Sequence, residues 1–109
     1  MRTATWATTL AAALCIVGIA ASDRAEPRTH TVTIEGMRFQ PEALTVSRGD
    51  TIVWVNRDLV PHTATSKAGS FDSKTIRANE SWEYTAGTRG DFAYVCAFHP
   101  AMEATLRVQ

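Results

Sequence analysis

The sequence predicts an all-β domain, either an antiparallel sandwich or a barrel. Short segments in which apolar and polar residues alternate recur along the chain, as in strands that are buried on one face. Glycine, proline, asparagine or aspartate separates these segments. No stretch has a helical period long enough to indicate a helix, and 109 residues is the length of one domain.

The first 22 residues have the organisation of a secretory signal peptide. A basic start at Arg2 precedes an apolar run over residues 4–21, and small residues follow, with cleavage predicted near Ser22. An uncleaved membrane anchor is the alternative, because the run is near the lower length limit for spanning a bilayer. We therefore predict a signal peptide over 1–22, a flexible leader over 23–29, a folded domain over 30–109, and a periplasmic location.

Three strands are predicted in the first half of the domain. Residues 30–35, 44–46 and 51–56 each alternate between apolar and polar or β-branched side chains, and a turn at Gly49 and Asp50 separates the last two. The segment 51–56 carries apolar side chains on both faces, so we expect this strand to be buried on both sides.

Three further strands are predicted in the second half. These are residues 81–85, 91–96 and 104–108. In 91–96, two aromatic residues share one face with Cys96, which we expect to point into the core. Residues 59–78 have no regular pattern and receive no assigned strand.

Three potential metal ligands follow one another at three-residue intervals near the C-terminus: Cys96, His99 and Met102. A soft thiolate with imidazole and a thioether suits copper, and a trigonal Cys-His-His site with a weak axial Met is the arrangement of blue-copper proteins. His62, just past the strand 51–56, is the candidate for the second histidine. We expect His99 and Met102 on a loop between Cys96 and the strand that begins near Ala104.

Each of these residues also has an ordinary structural interpretation, since strand cysteines and loop methionines are usually core residues. Their combination is more informative. Cys15 lies in the predicted signal peptide, so Cys96 would be the one thiol of the exported protein and would need an occupant in an oxidising compartment. Zinc is an alternative metal, although the thioether argues against it. His30 is interpreted as a solvent-facing residue at a strand start.

Several functional classes are excluded by composition and motifs. Eleven basic and eleven acidic residues give zero net charge and no sign of the basic surface that nucleic-acid binding requires. The sequence has no paired carboxylates, no nucleophile with a base and no glycine-rich phosphate loop, so we expect no enzymatic activity. A binuclear copper domain would need a second cysteine in the ligand loop beside Cys96.

The chain resembles the cupredoxins, in particular the amicyanin and plastocyanin-like group. The short Cys-x-x-His-x-x-Met spacing looks like amicyanin, and the resemblance implies an eight-stranded Greek-key sandwich with one type 1 copper held by His62, Cys96, His99 and axial Met102. This family commonly has Asn after the first ligand histidine, where Thr63 stands here and can make part of the same link between loops. The resemblance is carried by residues 37–41, 44–46, 49–51, 54–58, 61–62, 90–96 and 99–102.

The resemblance implies an electron-transfer protein that shuttles one electron between redox partners through the exposed edge of His99. The alternative is a periplasmic copper-binding, delivery or resistance protein. Beyond Met1 the methionines are only Met37 and Met102, which favours a closed redox site. We expect a monomer without stable membrane association. An apolar docking patch is expected around His99, formed by Leu59, Val60, Pro61, Phe98, Pro100 and Ala101.

Overall fold

The computed structural model describes residues 2–7, 9, 11–13 and 26–109. The described residues before residue 26 are exposed and have no regular secondary structure. The rest of the predicted signal peptide, its cleavage site and the leader residues 23–25 lie outside the described residues, so these boundaries remain predictions. Within the described ranges, no helix is long and apolar enough to cross a membrane.

The described chain forms eight strands in two four-stranded sheets, which confirms the predicted all-β Greek-key sandwich. The strands are β1 (Thr29–Ile34), β2 (Phe39–Gln40), β3 (Ala43–Val46), β4 (Thr51–Asn56), β5 (Thr65–Ser66), β6 (Ser81–Thr85), β7 (Gly90–Cys96) and β8 (His99–Val108). The first sheet has the order β2-β1-β4-β6 and the second the order β3-β8-β7-β5. The chain therefore crosses repeatedly between the two sheets.

The prediction of antiparallel pairing is correct for most neighbours and wrong for two pairs. Strand β1 pairs parallel with β4, and β3 pairs parallel with β8. The parallel pairs arise because a strand of the opposite sheet intervenes along the chain, so β4 returns beside β1 in the same direction. Strands β2 and β5 were not predicted, since two residues are too few for a period to be recognised.

Strand β4 provides the centre of the core. Ile52 and Trp54 are fully buried, whereas the valines on the opposite face are only half-buried, so the expectation of burial on both faces is only partly correct. The Trp54 ring lies 5.5 Å from the Phe71 ring, 5.5 Å from the Trp82 ring and 5.6 Å from the Tyr94 ring, measured between centroids. These aromatic contacts join the two sheets, because Trp82 lies on β6 and Tyr94 on β7.

A buried carboxylate, Asp50, secures the end of the sandwich where β1 and β4 begin. It accepts hydrogen bonds from the backbone N–H groups of Arg28 (2.9 Å) and Ser47 (3.0 Å), and it pairs with His30 Nε2 (2.9 Å). The interpretation of His30 as solvent-facing is therefore wrong, because this half-buried ring contacts a buried acid. The hydrogen bond from the Arg28 N–H, with those from His30 and Ser47, lowers the pKa of Asp50 to about 2 despite burial.

The substitution Asp50→Asn tests this contribution. The pKa of an unfolded aspartate is about 3.9, and the hydrogen bonds from Arg28, His30 and Ser47 lower the pKa of Asp50 to about 2 in the folded protein. A lowered pKa contributes stability that is complete above about pH 4 and is lost as the pH falls from about 4 towards 2. We therefore expect Asp50→Asn to lower the denaturation midpoint at pH 7 and to weaken the loss of stability between pH 4 and 2. Urea unfolding at several pH values measures both effects.

The matched control is Glu83→Gln, which removes one negative charge from an exposed position on β6. It should unfold like the unsubstituted protein. Equal midpoints for Asp50→Asn and Glu83→Gln at pH 7 would contradict the assigned role of Asp50.

Candidate metal centre

His62 lies where the chain passes from the first sheet to the second, between β4 and β5. Its side chain is 0% exposed. Its backbone is fixed by two hydrogen bonds with Ile76, from His62 N–H to the Ile76 carbonyl (3.1 Å) and from Ile76 N–H to the His62 carbonyl (2.7 Å). The histidine is therefore held in the sandwich interior at the end where β4 and β7 finish.

Asn56, the last residue of β4, shapes the segment that leads to His62. Its buried side chain donates to the backbone carbonyls of Val60 (2.8 Å) and Ile76 (3.0 Å) and accepts a hydrogen bond from the Asp58 N–H (2.9 Å). All three bonds go to backbone groups, so the side chain acts as a template for the turn. A buried amide that is satisfied in this way makes the turn rigid.

Asp58 fixes the orientation of the His62 ring. Its Oδ2 atom lies 2.7 Å from His62 Nε2, and the carboxylate also accepts the N–H groups of Gly36 (2.7 Å) and Met37 (3.0 Å). Burial alone would raise the pKa of Asp58, but the hydrogen bonds from Met37, His62 and Gly36 outweigh it and lower the pKa. Because the ionised carboxylate only accepts hydrogen bonds, His62 carries its proton on Nε2 and presents the Nδ1 lone pair to the site.

The turn before β2 directs two backbone N–H groups at the Asp58 carboxylate. Gly36 and Met37 both have left-handed backbone angles, with φ of 62° and 59°. Successive residues of this kind turn their N–H groups towards one anion, here the side chain of Asp58. The non-glycine residue in this conformation is strained, and the two hydrogen bonds offset that strain.

The C-terminal ligands lie in a hairpin whose form differs from the prediction. Cys96 ends β7 as expected, but His99 begins β8 and pairs directly with Cys96, so the strand does not begin near Ala104. His99 and Met102 are therefore strand residues and not loop residues. The turn between Cys96 and His99 contains only Ala97 and Phe98, which is short enough for the ladder to restart at once.

A bulge in the same hairpin directs the axial candidate inwards. Val95 pairs with Glu103 and Cys96 with His99, so Pro100, Ala101 and Met102 have no opposite residue on β7. Extra residues of this kind re-aim the side chains of one strand. Met102 is only 6% exposed and lies on the inward face of β8.

The structure brings three of the predicted ligands together. Cys96 Sγ lies 3.7 Å from His62 Nδ1 and 3.6 Å from His99 Nδ1, and the three donor atoms lie within 4.8 Å of one another. Cys96 is 0% exposed and His99 is half-buried.

This donor set fits a transition metal. Metal–nitrogen bonds of about 2.0 Å and metal–sulfur bonds of about 2.3 Å, as in zinc sites, meet at about 110–120° when nitrogen and sulfur are about 3.5–3.7 Å apart. The observed separations of 3.6 and 3.7 Å agree with that spacing. The buried thioether of Met102 adds a soft donor that suits copper better than zinc. The roles of His62, Cys96, His99 and Met102 as ligands remain predictions.

Thr63 joins the two ligand-bearing segments. Its backbone N–H points at Cys96 Sγ (3.4 Å), and its hydroxyl accepts a hydrogen bond from the Ala97 N–H (2.7 Å). The threonine therefore links His62 to the Cys96 hairpin with both its backbone and its side chain. To the Cys96 hairpin the hydroxyl makes one hydrogen bond, the one from the Ala97 N–H.

The six residues of the expected docking patch are all exposed. Leu59 is 95% exposed and Phe98 is 50% exposed, which is unusual for large apolar side chains. Met37, which the sequence did not assign to the patch, is also exposed and lies on the turn that contacts Asp58. The apolar surface therefore borders the segments that hold the candidate ligands.

Sequence reasoning missed two residues that organise the site. Asp58 and Asn56 both lie in the segment 54–58 that carries the family resemblance, and the sequence assigns neither a role in the site. An acid four residues before a candidate ligand histidine in one loop is a usable signal, because second-shell carboxylates commonly orient such histidines. No comparable signal identifies Asn56, because one of its partners, Ile76, lies 20 residues further along the chain.

Comparison with known families decides which family this chain belongs to. A family model described as a cupredoxin-like domain matches residues 7–108. The chain belongs to the cupredoxin family. The eight-stranded sandwich and the grouped histidine and cysteine donors agree with this membership.

The similar curated proteins include two amicyanins. The amicyanin of Paracoccus versutus is 28% identical over 83 residues, which cover 72% of this chain and 63% of that protein. Amicyanin-alpha of Methylorubrum extorquens is 26% identical over the full length of both proteins. The plastocyanin of Scenedesmus fuscus is 30% identical over 65% of this chain and 86% of its own. This cupredoxin thus aligns with less than two thirds of the first amicyanin.

The similarity to solved structures agrees with the assignment to the cupredoxin family. A Cu(I) form of an amicyanin point mutant superposes with a TM-score of 0.70 at 26% identity, covering 74% of this chain and 82% of that one. A copper-containing nitrite reductase from Thermus scotoductus superposes with a TM-score of 0.71 at 26% identity, but over only 23% of its chain. The similarity to the reductase is therefore limited to one part of that enzyme.

The substitution Asp58→Asn tests how the His62 ring is held. In the metal-free protein we expect His62 to carry its proton on Nε2, because Asp58 accepts it. An amide at position 58 can no longer accept three hydrogen bonds with a full negative charge, so the tautomer preference should weaken. Nitrogen chemical shifts of the His62 ring measure this directly.

Asp91→Asn is the matched control, since Asp91 is an exposed acid paired with Arg107 on β8. It should leave the His62 tautomer unchanged. An Nδ1-protonated His62 in the unsubstituted protein would contradict the assignment.

Proposed function

We propose that this cupredoxin is a blue-copper electron-transfer protein with one type 1 copper, held by His62, Cys96, His99 and axial Met102. The observation that carries the proposal is the convergence of the His62, Cys96 and His99 donor atoms within 4.8 Å, from segments far apart in sequence. The similarity to amicyanins and to a plastocyanin supports it. Copper, when bound, would supply a one-electron Cu(II)/Cu(I) couple.

The protein holds its donors in place without help from a ligand. Asp58 fixes the His62 ring, Thr63 contacts the Cys96 sulfur, and the hairpin pairs His99 with Cys96. Donors that cannot move far between two oxidation states keep the rearrangement that accompanies each electron small. A small rearrangement favours fast electron transfer.

His99 is the route to a partner in this proposal. Of the three donors that converge, it alone is partly exposed, whereas His62 and Cys96 are buried. The exposed patch beside it, which includes Leu59 and Phe98, would exclude water from a docked partner. Redox partners make small and weak interfaces, below about 1,200 Å² in total, so the complex can dissociate quickly.

The enclosed site favours a carrier over a copper-delivery or copper-resistance protein. A delivery protein must hand over its metal, which requires open donors, and here His62, Cys96 and Met102 are all buried. We also propose that the protein is not an enzyme. Its amicyanin and plastocyanin relatives match over 65% or more of this chain, whereas the match to the nitrite reductase covers only 23% of that enzyme.

A periplasmic location completes the proposal. It rests on the signal-peptide pattern of residues 1–22, after which residues 23–29 would form a leader and 30–109 the cupredoxin domain. A monomer that meets donor and acceptor in turn fits the small patch around His99.

Copper titration tests the proposed site. Adding Cu(II) to the purified full chain should produce an intense thiolate-to-copper absorption band in the visible spectrum, because Cys96 faces both histidine donors. Cys96→Ser should abolish this band, since a hydroxyl does not supply the charge transfer. Cys15→Ser, at the other cysteine of the chain, is the control and should retain it. A colourless complex of the unsubstituted protein would refute the blue-copper proposal.

Replacement of the axial candidate tests the role of Met102. Met102→Leu should keep the visible band but raise the reduction potential, because Cu(II) loses more than Cu(I) when a weak fourth donor is removed. Cyclic voltammetry of the copper-loaded protein measures the shift. Met37→Leu makes the same chemical change on the exposed turn before β2 and should leave the potential unchanged. Equal potentials for the two variants would exclude Met102 as a ligand.

A further inference from the structure

A continuous hydrogen-bond chain runs from the Cys96 hairpin to the protein surface. The Ala97 N–H donates to Thr63 Oγ1 (2.7 Å), Thr63 Oγ1 lies 2.8 Å from Thr65 Oγ1, and Thr65 Oγ1 donates to Asp72 Oδ1 (3.2 Å). The chain begins next to Cys96 and ends at a partly exposed carboxylate. It crosses from the hairpin through the segment that follows His62.

The direction of this chain is determined by its last member. An ionised carboxylate only accepts hydrogen bonds, so Thr65 must use its single hydroxyl proton on Asp72. Thr65 then has only a lone pair for Thr63, which must donate its own proton to Thr65. The Thr63 oxygen keeps both of its lone pairs, and one of them accepts the Ala97 N–H. Each hydroxyl thus donates once and accepts once.

Asp72 is itself held in the state that this direction requires. Its Oδ1 accepts the Lys74 N–H (2.9 Å), and its Oδ2 accepts from Lys74 Nζ (3.2 Å). The hydrogen bond from the Lys74 N–H lowers the pKa of Asp72, burial opposes it, and the side chains of Lys74 and Thr65 add to the lowering. Asp72 is therefore ionised at neutral pH.

The backbone keeps Thr65 within reach of both neighbours. Thr65 pairs with Val95 on β7, beside the Cys96 hairpin, and forms an isolated bridge with Asp72. Its side chain is consequently placed between the hairpin and the surface acid. Hydrogen bonds in a chain polarise one another, so a charge at one end strengthens the bonds along it.

We propose that Thr65 and Asp72 are positioning residues for the Cys96 hairpin, because they orient the Thr63 hydroxyl so that it accepts the Ala97 N–H. Asp72 fixes the direction in which the Thr65 hydroxyl donates, and Thr65 in turn fixes the direction in which the Thr63 hydroxyl donates. The relevance of this device to the metal centre rests on the proposed copper function. The hydrogen-bond chain itself does not, since the metal-free fold already contains it.

Amide exchange of Ala97 in the metal-free protein measures the chain directly. Thr65→Val is nearly the same size but leaves the buried Thr63 hydroxyl without its acceptor, so the Ala97 amide should exchange about two- to tenfold faster, as expected for one weakened hydrogen bond. Thr65→Ser keeps the hydroxyl and should restore the slow rate. Core amides of β4 should exchange equally slowly in all variants, which separates this effect from a general loss of stability.

Asp72→Asn tests the direction of the chain. Asparagine can both donate and accept, so Thr65 is no longer forced to donate to it, and Ala97 should again exchange faster. Asp91→Asn is the matched control, since it removes the same charge from an exposed ion pair with Arg107 at the start of β7. In the copper-loaded protein, Thr65→Val and Asp72→Asn should shift the reduction potential in the same direction, whereas Thr65→Ser and Asp91→Asn should not.

The outcomes separate this inference from the proposed function. Equal Ala97 exchange in Thr65→Val and Thr65→Ser, or in Asp72→Asn and Asp91→Asn, would overturn the positioning role even if the protein is blue. Absence of a thiolate-to-copper band in the unsubstituted protein would refute the blue-copper function, while the exchange rates of the metal-free variants would still decide the inference.

Discussion

Two hydrogen bonds between Thr63 and the Cys96 hairpin hold together the part of the structure on which the candidate site depends. Its N–H contacts the sulfur of Cys96, and its hydroxyl accepts the N–H of Ala97. One residue thus ties the segment after β4, which leaves the first sheet, to the hairpin of the second sheet. This link adds to the pairing of Thr65 with Val95, which also joins the segment after His62 to the second sheet.

The site is built from buried polar groups that satisfy one another. The Asn56 side chain forms hydrogen bonds with three backbone groups. The Asp58 carboxylate accepts hydrogen bonds from the His62 ring and from two backbone N–H groups. Buried polar groups destabilise a fold when they are unpaired and make it rigid when they are all paired. Since His62 is oriented before any metal arrives, the free energy of metal binding is not needed to order it. Such rigidity agrees with the proposed redox role, in which the geometry of the site must stay the same when its charge changes.

The two ends of the sandwich have different physical characters. At the end where β1 and β4 begin, Asp50 gathers backbone and histidine hydrogen bonds and contributes to stability. At the other end, large apolar side chains such as Leu59 and Phe98 face solvent beside a half-buried His99. Exposed apolar side chains lower solubility and contribute nothing to the core, so their concentration beside His99 supports the docking patch that we propose there.

The sequence by itself determined the fold class and the identity of the candidate ligands. Alternation identified the six longer strands, and the spacing of Cys96, His99 and Met102 identified the donor types, because these patterns are local. Tertiary structure alone decided the rest. The parallel pairing of β1 with β4, the start of β8 at His99, the pairing of His30 with Asp50 and the hydrogen-bond chain from Ala97 to Asp72 all join residues that are distant in sequence or depend on a register. Such contacts follow from how the two sheets pack, and local periodicity carries no information about that packing.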